Sequence, residues 1–235
     1  MGSQRGMTLV ELVVGMAIMT LLTAMILITW FALSQSYSYS IQSSEARDNA
    51  RLALSRMARE IRDAENNASV SETAIQRARA RWIQFYTTFN DPGNANSSTL
   101  PRLVMYRLYP DGELWRFEDL DGNNTIANVN NSASDWPGAN ALSVGEQVNG
   151  EGARLMCTHV VNDVVPSTSD PTPLFEYARF DDTGRLGLSH EVYGNTLGNR
   201  PAIVAVQIHL LADVNPARSP VYADLQTTAQ LRNSR

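Results

Sequence analysis

The sequence predicts an α+β protein: a long N-terminal helix, apolar then amphipathic, packed on a C-terminal antiparallel β-sheet domain. Three observations carry this. Residues 7–33 hold 21 apolar residues out of 27, and the 33 residues Leu12–Ser44 carry no charge. From Ser44 onward, apolar residues recur at helical spacing. From Trp82 onward, β-branched and aromatic runs alternate with Gly, Pro, Asn and Asp. The averages over 235 residues, 43% hydrophobic and 18% charged, hide this division and describe an ordinary globular protein. They exclude a polytopic membrane protein, a collagen-like repeat and a highly charged disordered chain. A single Cys excludes an internal disulfide. All 19 basic residues are Arg, they are scattered, and the net charge is −5, so no nucleic-acid surface is expected. Residues 1–66 balance six Arg against six acids, which leaves the acidic excess in residues 67–235.

The first element is residues 7–33. A bilayer core about 30 Å thick needs roughly 20 apolar residues, which Leu12–Leu33 supplies. Trp30, Phe31, Tyr37 and Tyr39 stand near its outer end, where aromatic side chains suit the membrane interface. Arg5 precedes the span and no charge follows until Glu45, so the N-terminus is expected in the cytoplasm and the C-terminal bulk outside. A cleaved secretory signal ending at Ala32-Leu33-Ser34 is the alternative. The apolar run is too long for it, and it contains Glu11, a carboxylate costing about 2–3 kcal/mol in a bilayer.

Arg5-Gly6-Met7-Thr8-Leu9-Val10-Glu11-Leu12 resembles the cleavage and methylation motif of type IV pilins and type II secretion pseudopilins. The resemblance implies cleavage by prepilin peptidase after Gly6 and N-methylation of Met7, which stands where the family usually has Phe. It also implies that Glu11 pairs with the Met7 α-amine of a neighbouring subunit during assembly. Many major pilins carry a Pro midway along this helix, whereas here no Pro precedes Pro92.

The second element is residues 34–66. Ala50, Leu54, Met57, Ile61 and Ala64 share one helical face. Residues 7–66 as one helix would extend roughly 90 Å at 1.5 Å per residue. Arg47, Arg51, Arg59 and Arg62 interleave with Glu45, Asp48, Glu60, Asp63 and Glu65, which reads as a solvated face rather than a lipid-binding patch. Asn66, Asn67 and Ser69 supply the stop.

The remaining elements belong to one antiparallel sheet within residues 67–235. A polar helix or loop is expected at 72–80. Strands are expected at 82–86, 103–109, 113–117, 154–161, 174–180, 186–192, 203–211 and 222–231. Pro110-Asp111-Gly112 reads as a hairpin turn, and Asp181–Gly184 as another. The loop 119–150 is long and rich in Asn. The block Leu52–Arg62 and the tail from Ile203 resemble J-type minor pseudopilins and W-type minor pilins. That resemblance implies the type IV pilin fold.

Chemistry-bearing patterns are few. Cys157 and His159 stand two apart on a strand, a spacing that would serve a nucleophile and base or two metal ligands. The expected reading is a buried thiol beside a half-exposed imidazole. His190 and His209 have no neighbouring Cys or paired acid in sequence. Asp119 and Asp121 lie in an oxygen-rich run that calcium would accept, but the EF-hand spacing fails and a β-turn is expected. No P-loop, nucleophile elbow or dinucleotide fingerprint occurs, so no enzyme, cofactor or metal is expected.

The resemblance thus implies a leader at 1–6, an assembly helix at 7–33, its amphipathic continuation at 34–66 and a β-rich domain at 67–235. The expected function is a minor pilin or pseudopilin that primes or caps a type IV pilus or a type II secretion pseudopilus. The expected partners are other pilin or pseudopilin subunits, prepilin peptidase and the assembly platform, in the cytoplasmic membrane and then the filament. An adhesin or DNA-uptake module on the same anchor, and a signal-anchored extracellular enzyme, are the alternatives.

Overall fold

A computed structural model describes residues 8–66, 74–89, 101–109, 111–119, 152–162, 172–180, 185–189, 203–214 and 222–232. The described residues form one 54-residue helix, α1 (Leu9–Arg62), and nine strands. The chain divides into two compact units, Met1–Ser44 and Glu45–Arg235.

In the first unit, every residue from Leu9 to Ser38 is exposed. The hydroxyls along this stretch turn inward. Thr20 Oγ1 donates to the Met16 carbonyl, Thr23 Oγ1 to Met19 at 2.8 Å, Thr29 Oγ1 to Met25 at 2.9 Å and Ser38 Oγ to Ser34 at 3.0 Å. Each hydroxyl is thereby satisfied by its own helix, which lets an apolar environment accept it.

In the second unit, the helix buries Ala46, Ala50, Ala53, Leu54, Met57, Ala58, Glu60 and Ile61. The expected face of Ala50, Leu54, Met57, Ile61 and Ala64 is buried throughout. The helix stops at Arg62, short of residue 66, because the chain enters the sheet. Ala64 bridges Thr87, and the Glu65 amide donates to the Tyr86 carbonyl at 3.1 Å.

The first sheet is an antiparallel meander of β1 (Ile75–Ala78), β2 (Trp82–Thr87), β3 (Arg102–Leu108), β4 (Leu114–Glu118) and β5 (Arg154–Cys157). The strand β1 corrects the helix or loop expected at 72–80. Only Ile75 and Ala78 of β1 are buried, too few to give a sequence pattern, and pairing with β2 imposes the conformation. The turn at Asp111-Gly112 forms as expected. Gly112 adopts φ +80°, and its amide donates to the Tyr109 carbonyl at 3.0 Å.

The second sheet contains β6 (Phe175–Phe180), β7 (Leu186–Ser189), β8 (Ile203–Ala212) and β9 (Ala223–Gln230), in the order β7-β6-β8-β9. Two sheets therefore replace the single sheet expected. The break falls after Cys157. His159 turns the chain at φ 63°, and Val160 then bridges Ala212, so β5 ends four residues before the expected limit of 161. Residues 190–192, expected as the end of a strand, lie outside the described residues, as do Asp181–Gly184.

Both sheets and the helix share one core. Met57 and Ile61 belong to it together with Phe85, Tyr106, Phe175, Tyr177 and Val206. Tyr177 fastens the second sheet to the first, its hydroxyl donating to the Arg79 carbonyl at 2.8 Å. The opposite face of the first sheet carries a separate aromatic cluster that includes Trp82, Tyr86, Trp115 and Phe117.

Candidate functional site

Gly6 and Met7, the expected processing residues, lie outside the described residues. Glu11 is described, in the first turn of α1. Thr8 precedes the helix and caps it. The Thr8 amide and hydroxyl both donate to Glu11 Oε2 at 2.9 Å, and the Glu11 amide donates to Thr8 Oγ1 at 3.3 Å. This is a reciprocal capping box. Its signal is Thr-x-x-Glu ahead of an apolar run, present in Thr8-Leu9-Val10-Glu11. The capping box gives the carboxylate donors within its own chain, and the exposed apolar helix begins directly after it. That helix is long and apolar enough to cross a membrane, and its most apolar window has no part buried within the chain.

A second charged site was not foreseen. Glu60, expected on a solvated face, has no exposed surface. It lies on the apolar side of α1 and meets a cationic partner from the sheet. Arg116 Nε on β4 donates to Glu60 Oε2 at 3.0 Å, Arg56 Nε to Oε1 at 2.9 Å and the Tyr106 hydroxyl to Oε2 at 2.8 Å. The chain of charges continues along the strands: Arg116 Nη1 meets Glu118 Oε2 at 2.7 Å, and Arg102 Nη1 meets Glu118 Oε1 at 2.9 Å. Burial lowers the Arg116 pKa less than Glu60, Tyr106 and Glu118 raise it, so the guanidinium stays charged. Burial, with Glu60 beside it, pushes the Tyr106 phenol well above its ordinary range and keeps it a donor. The sequence signal was Glu60 at the spacing of Ala53 and Met57, inside the apolar stripe. The partner Arg116 lies 56 residues away and no periodicity connects the two. The cluster ties α1 to β3 and β4.

The other candidates separate. Cys157 is buried, which pushes its thiol up to about 11, and its Sγ contacts the Thr158 carbonyl at 3.2 Å. His159 is exposed beyond the strand end, with Nδ1 against Thr158 Oγ1 at 2.8 Å. The two do not form a nucleophile–base pair, and the imidazole is more exposed than expected. Asp119 is buried and its amide donates to the Leu103 carbonyl at 3.0 Å, while Asp121 lies outside the described residues. Among the described residues no cluster of three His, Cys, Asp or Glu could hold a metal. His209 gains a partner that the sequence did not reveal: Asp224 Oδ1 on the neighbouring strand, at 2.7 Å from Nε2. His190 lies outside the described residues. Arg47, Arg51, Arg59 and Arg62 are exposed, as expected of a solvated face.

Residues 1–27 match the family model described as the prokaryotic N-terminal methylation motif. No curated protein matches the chain. The methylation motif, followed by an apolar helix long enough to cross a bilayer, supports a place for this chain in the type IV pilin-like family, as a pilin or pseudopilin substrate of prepilin peptidase.

Proposed function

We propose that the protein is a minor pilin or pseudopilin that primes or caps a type IV pilus or a type II secretion pseudopilus. The methylation motif at residues 1–27 carries this reading. Prepilin peptidase cleaves after Gly6, and the new α-amine at Met7 is methylated. Residues 7–33 anchor the subunit in the cytoplasmic membrane with the N-terminus inside and the domain outside. Glu11 then pairs with the Met7 amine of a neighbouring subunit. A carboxylate in an apolar setting is costly without a cationic partner, so this pair favours one register of subunits. The resemblance of Leu52–Arg62 and of the tail from Ile203 to J-type pseudopilins and W-type pilins supports the minor, rather than major, role.

Two substitutions test the mechanism. Glu11→Ala leaves the subunit in the membrane fraction and lowers its recovery in sheared filaments. Assembly of Glu11→Ala at the wild-type level would remove Glu11 from the mechanism. Gly6→Leu leaves the chain at leader length on a gel.

A further inference from the structure

Val206, Ile208 and Leu210 of β8 point into the shared core, so His209 points to the opposite side of the second sheet. Three polar groups meet there. His209 stands opposite Gln226 in the strand register, and Asp224 lies two residues before Gln226 on the same face. His209 Nε2 is 2.7 Å from Asp224 Oδ1 and 3.1 Å from the Gln226 side-chain amide. That amide is in turn 3.3 Å from Asp224 Oδ1. The backbone beneath the imidazole is fixed. The His209 amide donates to the Leu174 carbonyl at 2.9 Å, and the Asn162 side-chain amide donates to the His209 carbonyl at 2.7 Å. The His209 side chain is 23% exposed and that of Asp224 48%, so the sheet supports the triangle and solvent reaches its outer side.

Protons alone do not satisfy this triangle. Nε2 of an imidazole carries either a proton or a lone pair, never both. With the proton it donates to the Asp224 carboxylate and has nothing left to accept a Gln226 N–H. Without the proton, lone pairs of His209 and Asp224 face each other across 2.7 Å. A half-turn of the Gln226 amide exchanges its oxygen and nitrogen. Oε1 then faces Nε2, and three acceptor atoms share at most one proton. A divalent cation satisfies all three at once. The donor set selects the cation: an imidazole nitrogen with one carboxylate suits zinc and its first-row neighbours, whereas calcium and magnesium favour oxygen alone. Ligand atoms about 2.0–2.2 Å from a tetrahedral zinc stand about 3.3–3.6 Å from one another. The two sides of the triangle at Gln226 are close to that spacing, and the third widens by about 0.6 Å to reach it.

We propose that His209 Nε2, Asp224 Oδ1 and Gln226 Oε1 bind a first-row transition-metal dication of the zinc class, with water completing its coordination. The site lies on β8 and β9 alone and goes beyond the filament reading, which its failure would leave untouched. The test is calorimetry of the full chain in detergent micelles with zinc chloride, and calcium chloride as the control. Zinc binds saturably with one ion per chain, and calcium at the same concentration does not. His209→Ala and Asp224→Asn each weaken zinc binding at least about tenfold, and Gln226→Leu weakens it measurably. His159→Ala, whose imidazole is outside the triangle, leaves zinc binding unchanged. If His209→Ala does not fold, as judged by thermal melting, Asp224→Asn decides, because it keeps the shape of the side chain and removes its charge. Absence of saturable zinc binding, equal binding of calcium, or wild-type zinc affinity in His209→Ala or Asp224→Asn overturns the proposal. Unchanged affinity in Gln226→Leu, or loss of binding in His159→Ala, overturns it as well.

Discussion

At the scale of single residues, Glu60 has an unusual position for a carboxylate: no exposed surface, two guanidinia and a phenol around it. Such a group is tolerated only with its partners in place. Glu60→Gln is expected to lower the unfolding free energy by about 3–5 kcal/mol in denaturant titration, because Arg116 is left buried and half-paired. Glu60→Met combined with Arg116→Met costs less than either change alone, since the two most buried charges leave together, while Arg56 reaches solvent and Glu118 keeps Arg102. Glu118 gives the pH dependence. Burial raises its carboxyl pKa, but Arg116 and Arg102 outweigh burial and hold it below the ordinary value of 4.5. A folded-state pKa below the unfolded one stabilises the protein above pH 4.5, and that contribution fades as the pH falls towards the folded value. Melting temperature therefore drops below pH 4.5, and Glu118→Gln makes the drop shallower. The sequence suggests a solvated face for Glu60, although it stands at the helical spacing of Ala53 and Met57. Its meaning required Arg116, which only the strand register brings near.

Among the elements, the hairpin joining β3 to β4 is the most exacting. Gly112 has φ +80°, and a Cβ there would stand 2.8 Å from the Val160 carbonyl oxygen. Gly112→Ala is expected to cost more than about 1–2 kcal/mol in unfolding free energy, because the left-handed conformation and the contact are both penalised. A cost within error of zero would show that the Val160 segment shifts freely. The turn was legible because Pro110-Asp111-Gly112 lies between two β runs. Helix α1 was legible because Ala50, Leu54, Met57 and Ile61 keep a helical period. β1 was not, since Arg77 and Gln76 separate its two buried residues and the strand exists through pairing with β2. The end of β5 was also hidden. The residues after Cys157 have strand composition, but His159 bends the chain so that Val160 can meet Ala212.

For the whole molecule, the two units follow opposite rules of burial. Among the described residues, Glu45–Arg235 hides most of its apolar residues in a core shared by helix and sheets, whereas Leu9–Ser38 exposes every residue it has. An apolar helix with inward-turned hydroxyls is unstable in water and suited to lipid or to the same helix of neighbouring subunits. This division was readable in the charge-free run from Leu12 to Ser44. The separation of the β domain into two sheets was not, because strand composition records neighbours along the chain and not those across it. The account rests on processing at the head of that helix. Its most direct test is mass spectrometry of the mature N-terminus from the native cell envelope. The account predicts a chain beginning at an N-methylated Met7. A chain beginning near Ser34, or one retaining residues 1–6, would contradict it.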